Sequence, residues 1–214
     1  MEESKHAFWK DRWGNQSYDE FEKSEDFKKI FRTMQEHGLL GETIVDVGSG
    51  ATSLTEYLPD PLNYKIITVD IGGENEQKKN NLHVQYDLDH IQDKGSYETR
   101  KALVKISDFL DIDPKSIEKE HVNTIIFSEI LNYIDYKKVL AECAGYLKVG
   151  GRFIIFNKPN RGFKHAFFEG GVKSNTDLQN FIRSLNFEIE DIQDFHGTES
   201  HLEDPMLLII ARKL

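Results

Sequence analysis

The sequence is short of nearly everything that would tie a chain together from outside its own core. It has one cysteine, Cys143, which excludes an internal disulfide and a multi-thiolate metal site. Its five prolines form no tract, and no Gly/Ser-rich stretch, internal repeat or low-complexity segment marks a linker. No run of 18 apolar residues occurs, so no membrane partner is expected. Met1-Glu2-Glu3-Ser4-Lys5 lacks the apolar stretch of a signal peptide, and a cytoplasmic location is expected. Cations are outnumbered as well. Lys and Arg total 27 against 37 Asp and Glu, a net charge of −10 that repels phosphate backbones, so no nucleic-acid partner is expected.

What is present suffices for a packed core. Hydrophobic residues make up 38% of the 214 and aromatics 11%, which excludes wholesale disorder. The length suits one domain over 1–214, with an N-terminal lid and helix over 1–38 and a core over 39–214. Phe27, Ile30, Phe31 and Met34 share one helical stripe, in a helix predicted to start after Ser17 and end near His37-Gly38. Apolar runs at Thr43–Val47, Lys65–Asp70, Leu82–Tyr86, Val122–Phe127 and Arg152–Phe156 read as strands, with two more around Ile189–Ile192 and Leu207–Ala211. Helices are predicted behind the Ser53-Leu54-Thr55-Glu56 capping box, over 97–110, from Asp135 to Gly150-Gly151, and from Thr176 to about Leu185. Strands without strict alternation, separated by helices, mean an α/β sheet buried on both faces. The last two strands are separated only by a polar loop, so an antiparallel C-terminal hairpin is predicted at one edge.

The chemistry concentrates where the first strand turns, at Asp46-Val47-Gly48-Ser49-Gly50. Glycines there let backbone N–H groups approach a ligand closely. A phosphate-binding P-loop would need a Gly-Lys pair and is excluded. A dinucleotide fingerprint would need a third glycine where Ser53 stands. Asp46, two residues ahead of Gly48, suits a cationic ammonium better than a bare pyrophosphate. Asp70 ends the second strand, where a carboxylate can accept bonds from both hydroxyls of a ribose. Asp87 ends the third, placed to receive an exocyclic adenine amine. Three acids at consecutive strand ends would share one carboxyl-terminal rim.

At these residues the chain resembles the class I S-adenosylmethionine-dependent methyltransferases. The resemblance rests on Val45-Asp46-Val47-Gly48-Ser49-Gly50, Thr68-Val69-Asp70-Ile71, Tyr86-Asp87-Leu88, Phe127-Ser128-Glu129-Ile130-Leu131 and Leu147-Lys148-Val149-Gly150-Gly151-Arg152. It implies a Rossmann-like seven-stranded, mostly parallel sheet with helices on both faces, and S-adenosylmethionine as cofactor. Asp46, Gly48, Ser49 and Gly50 would hold the methionine part, Asp70 the ribose, and Ile71 the adenine face. Asp87 and the Leu88 backbone would read the adenine edge, and Ser128 would offer backbone contacts. The family's frequent third glycine would fall at Thr52, a departure that bears on the loop's shape.

Competing patterns are weaker. Tyr133 and Lys137 match a Y-x-x-x-K pair, but the serine that chemistry needs on the preceding strand is missing, since Glu120 and His121 stand there. His196, His201, Glu203 and Asp204 lack metal-ligand spacing, and no metal is expected. The expected reaction is methyl transfer to an O or N atom of a small molecule. The alternatives are an RNA or protein methyltransferase, or a non-catalytic protein of the same fold. Candidate catalytic groups are Tyr133, Asn157 and His165. Candidate substrate-binding groups are Trp9, Trp13 and Tyr18, which form either a lid or a packed flap, and Arg161 and Lys164. The last two stand among Phe163, Phe167 and Phe168 in a stretch that either receives an anionic acceptor or merely packs on the sheet.

Overall fold

The structure, a computed structural model, describes residues 21–50, 53–72, 79–113, 115–116, 120–157, 170–195 and 206–214, with backbone alone for 21–26, 194–195 and 206. The elements are α1 (Phe21–Glu36), β1 (Thr43–Val47), β2 (Lys65–Asp70), β3 (Asn81–Gln85) and α2 (Tyr97–Leu110). They continue with β4 (Val122–Ser128), α3 (Tyr136–Tyr146), β5 (Leu147–Asn157), α4 (Asn175–Ser184), β6 (Phe187–Phe195) and β7 (Met206–Lys213). The strands form one sheet in the order β3-β2-β1-β4-β5-β7-β6. β1 to β5 are parallel, and β7 runs antiparallel between β5 and β6. The expected α/β sheet, with its reversed C-terminal strand, is therefore the observed one.

Each face of the sheet buries its own apolar cluster. Val47, Ile67, Ile125, Phe127, Phe153, Ile155 and Ile209 face α2, α3 and α4. Ile44, Ile66, Ile126, Ile154, Phe156 and Ile210 face α1, which lays down Phe27, Phe31 and Met34, the stripe read from the sequence. α1 ends where Gly38 turns left-handed at φ 65°, and Leu39 N–H donates to the Met34 carbonyl. The Ser96 hydroxyl caps α2 by accepting from Thr99 N–H, the Asp135 carboxylate caps α3 and the Ser174 hydroxyl caps α4.

Three expected helix boundaries are corrected. The Ser53 capping box opens a single 3₁₀ turn, Leu54–Tyr57, rather than a helix. Pro59 and Pro61 follow at once, and a proline ring excludes the helical conformation from the residue before it. The 136–150 helix stops at Tyr146, because Leu147 is already in β5 opposite Val122. The strand then turns at Gly150 (φ 79°) and brings Gly151 so close that a Cβ would lie 2.8 Å from the Asn123 carbonyl. The capping residue of α4 is Ser174, not Thr176.

Between the sheet and α2 lies an apolar cavity of about 100 Å³, lined by residues including Val45, Val84, Ala102, Ile106 and Cys143. With so few polar groups on its walls it is expected to stay dry. Burial pushes the Cys143 thiol up to about 12, with Glu142 adding to the rise. The reactive thiolate is then negligible at neutral pH. Native protein is expected to resist aromatic disulfide reagents and to label one thiol only as it unfolds. Stoichiometric labelling of the native state within minutes would show that α3 opens readily.

Candidate functional site

In a parallel sheet ordered 3-2-1-4-5 the chain reverses direction between β1 and β4, and the two crossovers leave a crevice at the carboxyl ends of those strands. Gly48, Ser49 and Gly50 follow β1 directly into that crevice. Gly48 N–H donates to the Val69 carbonyl of β2 at 2.7 Å. The two glycines are both left-handed, at φ 73° and 60°, but for different reasons. A Cβ on Gly48 would lie 2.5 Å from the Ile130 side chain, which packs into the turn from the β4 side. A Cβ on Gly50 would meet nothing within 4 Å. Gly48 lets the protein close on itself, whereas Gly50 leaves open space for something else.

Asp46 sits inside β1, fully buried. Its Oδ2 accepts the Ser53 hydroxyl at 2.6 Å and Leu54 N–H at 3.0 Å, so the carboxylate draws the returning loop back onto the strand. Its Oδ1 is buried without a hydrogen-bond partner. Burial pushes the carboxyl up from 3.8 to about 6, with Ser53 and Leu54 opposing and Asp70 adding to the rise.

Asp70, the last residue of β2, bridges the two turns that flank it. Its Oδ2 accepts Gly50 N–H at 2.9 Å and its Oδ1 accepts Gly72 N–H at 2.8 Å. Two side chains of β3 brace the turn after Asp70. The Gln85 amide donates to the Ile71 carbonyl at 3.2 Å. His83 lies between the Thr68 hydroxyl, 2.8 Å from Nδ1, and the Gly72 carbonyl, 3.1 Å from Nε2. Since a carbonyl only accepts, Nε2 carries the proton and Nδ1 accepts from Thr68. His83 and Gln85 belong to no motif in the sequence. The available signal was the alternation along β3, where Leu82 and Val84 are buried and His83 and Gln85 face the other way.

One strand further out, Asp87 caps the 3₁₀ turn Leu88–His90 by accepting Asp89 N–H, and lies 3.8 Å from His90 Nε2. The Leu88 side chain belongs to the core. On the other side of β1, Ser128 ends β4 half-buried, and Glu129 follows in a left-handed conformation at φ 55°. Strain of that kind collects at functional sites, and nothing in the sequence marked Glu129 for it. Tyr133 is buried behind the turn Ile130–Asn132, and Asn157 is fully buried at the end of β5. The fold therefore brings Asp87, Asp70, Gly48–Gly50, Ser128 and Asn157 to one rim, on five adjacent strands. Trp9, Trp13, Tyr18, Arg161, Lys164 and His165 lie outside the described residues. Among the described residues no cluster of three metal-ligating side chains occurs, and no helix is long and apolar enough to cross a membrane.

A family model described as a methyltransferase domain matches residues 45–155, which contain every described rim residue except Asn157. No curated protein matches the chain in sequence. Several solved structures share its fold. The 1,6-didemethyltoxoflavin-N1-methyltransferase of Burkholderia thailandensis, solved with 1,6-didemethyltoxoflavin and S-adenosylhomocysteine, aligns at TM-score 0.66 and 15% identity over 97% of this chain and 86% of its own. A SAM-dependent methyltransferase from Archaeoglobus fulgidus gives 0.58 at 16% identity over 98% and 100%. The geranyl diphosphate C-methyltransferase of Streptomyces coelicolor A3(2), solved with Mg²⁺, geranyl diphosphate and S-adenosylhomocysteine, gives 0.56 at 13% identity over 98% and 98%.

Two outcomes are expected from this geometry. An acid whose folded value rises from 3.8 to about 6 holds more protons folded than unfolded in that window, so its contribution to stability is present below about pH 4 and is lost as pH rises through 6. The full span corresponds to roughly 3 kcal/mol. Urea unfolding from pH 4 to 7 should show that slope in the native sequence and not in Asp46→Asn. Separately, Gly48→Ala should cost about 1–3 kcal/mol more than Gly50→Ala in the same assay, since only the first adds a collision to the backbone strain.

Proposed function

Since the chain belongs to the methyltransferase-domain family, we propose that its rim holds S-adenosylmethionine and directs the methyl group to an oxygen or nitrogen atom of a small molecule. The observation that carries this reading is the alignment of Asp87, Asp70 and Gly48–Gly50 at the carboxyl ends of three adjacent parallel strands. That spacing matches an adenine, a ribose and an amino-acid tail laid across the strands in that order. The residues present suit the cofactor in other ways too. Gly50 leaves open the space that a side chain would fill, and the buried Asp46 keeps one oxygen unused.

When bound, S-adenosylmethionine supplies an electrophilic methyl on a sulfonium. The rest falls to this chain. Asp70 accepts from the ribose hydroxyls, and Ile71, braced by Gln85, lies along the adenine. Asp87 and the Leu88 backbone meet the adenine edge, while Ser49 and Ser128 border the methionine part. The acids of the rim favour a cationic ligand over an anionic one. An in-line displacement needs the acceptor held near the methyl with water kept away, so positioning supplies most of the rate. If the acceptor is a hydroxyl, a base must take its proton, and Tyr133 and His165 are the candidates. Trp9, Trp13 and Tyr18 would close over the acceptor, and Arg161 and Lys164 would meet an anionic substituent. A small-molecule acceptor agrees with the net charge of −10, which disfavours RNA.

Asp70→Ala should bind S-adenosylmethionine at least tenfold more weakly by calorimetry, since hydrogen bonds to a charged group contribute about 1.5–3 kcal/mol each. Circular dichroism should show the variant folded. Undiminished affinity in that folded variant would remove Asp70 from the cofactor site. Methyl release against pools of small metabolites then tests the transfer itself.

A further inference from the structure

Resting on that reading, we propose that Asn157 selects the acceptor, and that it does so through a neutral edge carrying one hydrogen-bond donor beside one acceptor, as in a lactam, an amide or an N-heterocycle of the same pattern. Asn157 is fully buried, and neither Nδ2 nor Oδ1 has a hydrogen-bond partner. Among the described residues it is the only side chain with both polar atoms in that condition. A carboxamide offers two N–H groups and two lone pairs, and leaving all of them unmet in a dry site opposes folding. Nothing in the packing calls for it, because an aliphatic side chain of similar size would cost less in the same place. The carboxamide therefore reads as a group kept ready for a ligand.

Its position is that of the acceptor. Ser128 and Phe156 are paired in register, and Glu129 N–H donates to the Phe156 carbonyl at 2.8 Å, so Asn157 stands level with Glu129 on the rim. β4 separates it from the glycine turn, and Ile130, which follows Glu129, packs into Gly48. Asn157 shares its sheet face with Phe153 and Ile155, the face that also carries Leu131 and Val172. There the returning chain is pressed tight. Val172 N–H donates to the Leu131 carbonyl, and a Cβ on Gly171 would lie 2.2 Å from the Asn132 carbonyl.

The charge of the edge that Asn157 meets follows from the donor set, whatever substituent the ligand carries elsewhere. A carboxylate would accept from Nδ2 but set its second oxygen against Oδ1. An ammonium would satisfy Oδ1 and oppose the Nδ2 protons. Only a neutral donor–acceptor edge answers both atoms at once. A carboxamide does not titrate in the working range, so Asn157 binds the acceptor and takes no proton from it.

The test uses the full chain saturated with S-adenosylhomocysteine, with 2-pyridone and uracil as lactam probes and benzoate and benzylamine as charged ones. Binding is read by ligand-observed NMR. Both lactams should bind at least tenfold more tightly than either charged probe, and should lose at least tenfold in Asn157→Leu. That variant should keep its S-adenosylhomocysteine affinity within twofold and melt no lower than the native protein. Asn157→Val provides the same comparison if leucine is too large for the site. Lactam affinity unchanged in a folded variant, no lactam binding at all, or benzoate bound as tightly as 2-pyridone would each overturn the proposal. So would a lower melting temperature in both variants, which would show the carboxamide paired within the fold. Failure of the native protein to bind S-adenosylhomocysteine is a separate result, and it would overturn the methyltransferase reading beneath.

Discussion

The crevice depends on one buried carboxylate. Asp46 lies in a central strand with its charge withdrawn from water, and an acid so placed must find its protons in the chain. It takes them from Ser53 and Leu54. That pairing folds the returning chain back onto β1 where the following segment is too short to be a helix. With the loop drawn back, Gly48 can close against Ile130 and Gly50 can face open space. A helix dipole behind the turn would be an alternative source of order, and the 3₁₀ turn Leu54–Tyr57 is too short to supply one.

Among the described residues the two faces of the sheet are covered differently. α2, α3 and α4 cover one face, whereas the described part of the other is covered by α1 and short turns. The β1–β2 connection is mostly turns braced by side-chain hydrogen bonds. The turn after β2 is held in the same way, by Asp70 from below and by His83 and Gln85 from β3. Among the described residues, order on the β1–β2–β3 side of the rim comes from individual polar contacts more than from helix packing. Each contact is a short-range, directional interaction, and the rim is only as rigid as the sum of them.

The sequence displayed most of this, and the exceptions share a cause. Ile44, Ile66, Ile125 and Ile154 announce a sheet buried on both faces, and the stripe Phe27–Met34 announces α1, because burial leaves a periodic trace. Asp70 and Asp87 were legible because they sit where apolar runs stop. No helix follows Ser53, because a capping box is a local signal and the prolines that cancel it lie beyond its four residues. His83, Gln85 and Glu129 left little trace. Their roles depend on which carbonyl, strand or turn lies opposite, and that is settled only when distant segments meet.

The placement of β7 has a bearing on how the molecule is made. β6 is synthesised before β7, yet β7 lies between β5 and β6 and is hydrogen-bonded to both. Until β7 emerges, β6 has no strand to pair with, and one edge of β5 stays open to any extended segment nearby. Lys213 then fastens the junction, its ammonium donating to the Ala144 and Leu147 carbonyls where α3 passes into β5 and pairing with Glu120. In sequence order β7 therefore enters the sheet between two strands already made, rather than adding at an edge. A nascent chain in which β7 has not yet joined would present one edge of β5 and both edges of β6 to chaperones and to its own copies.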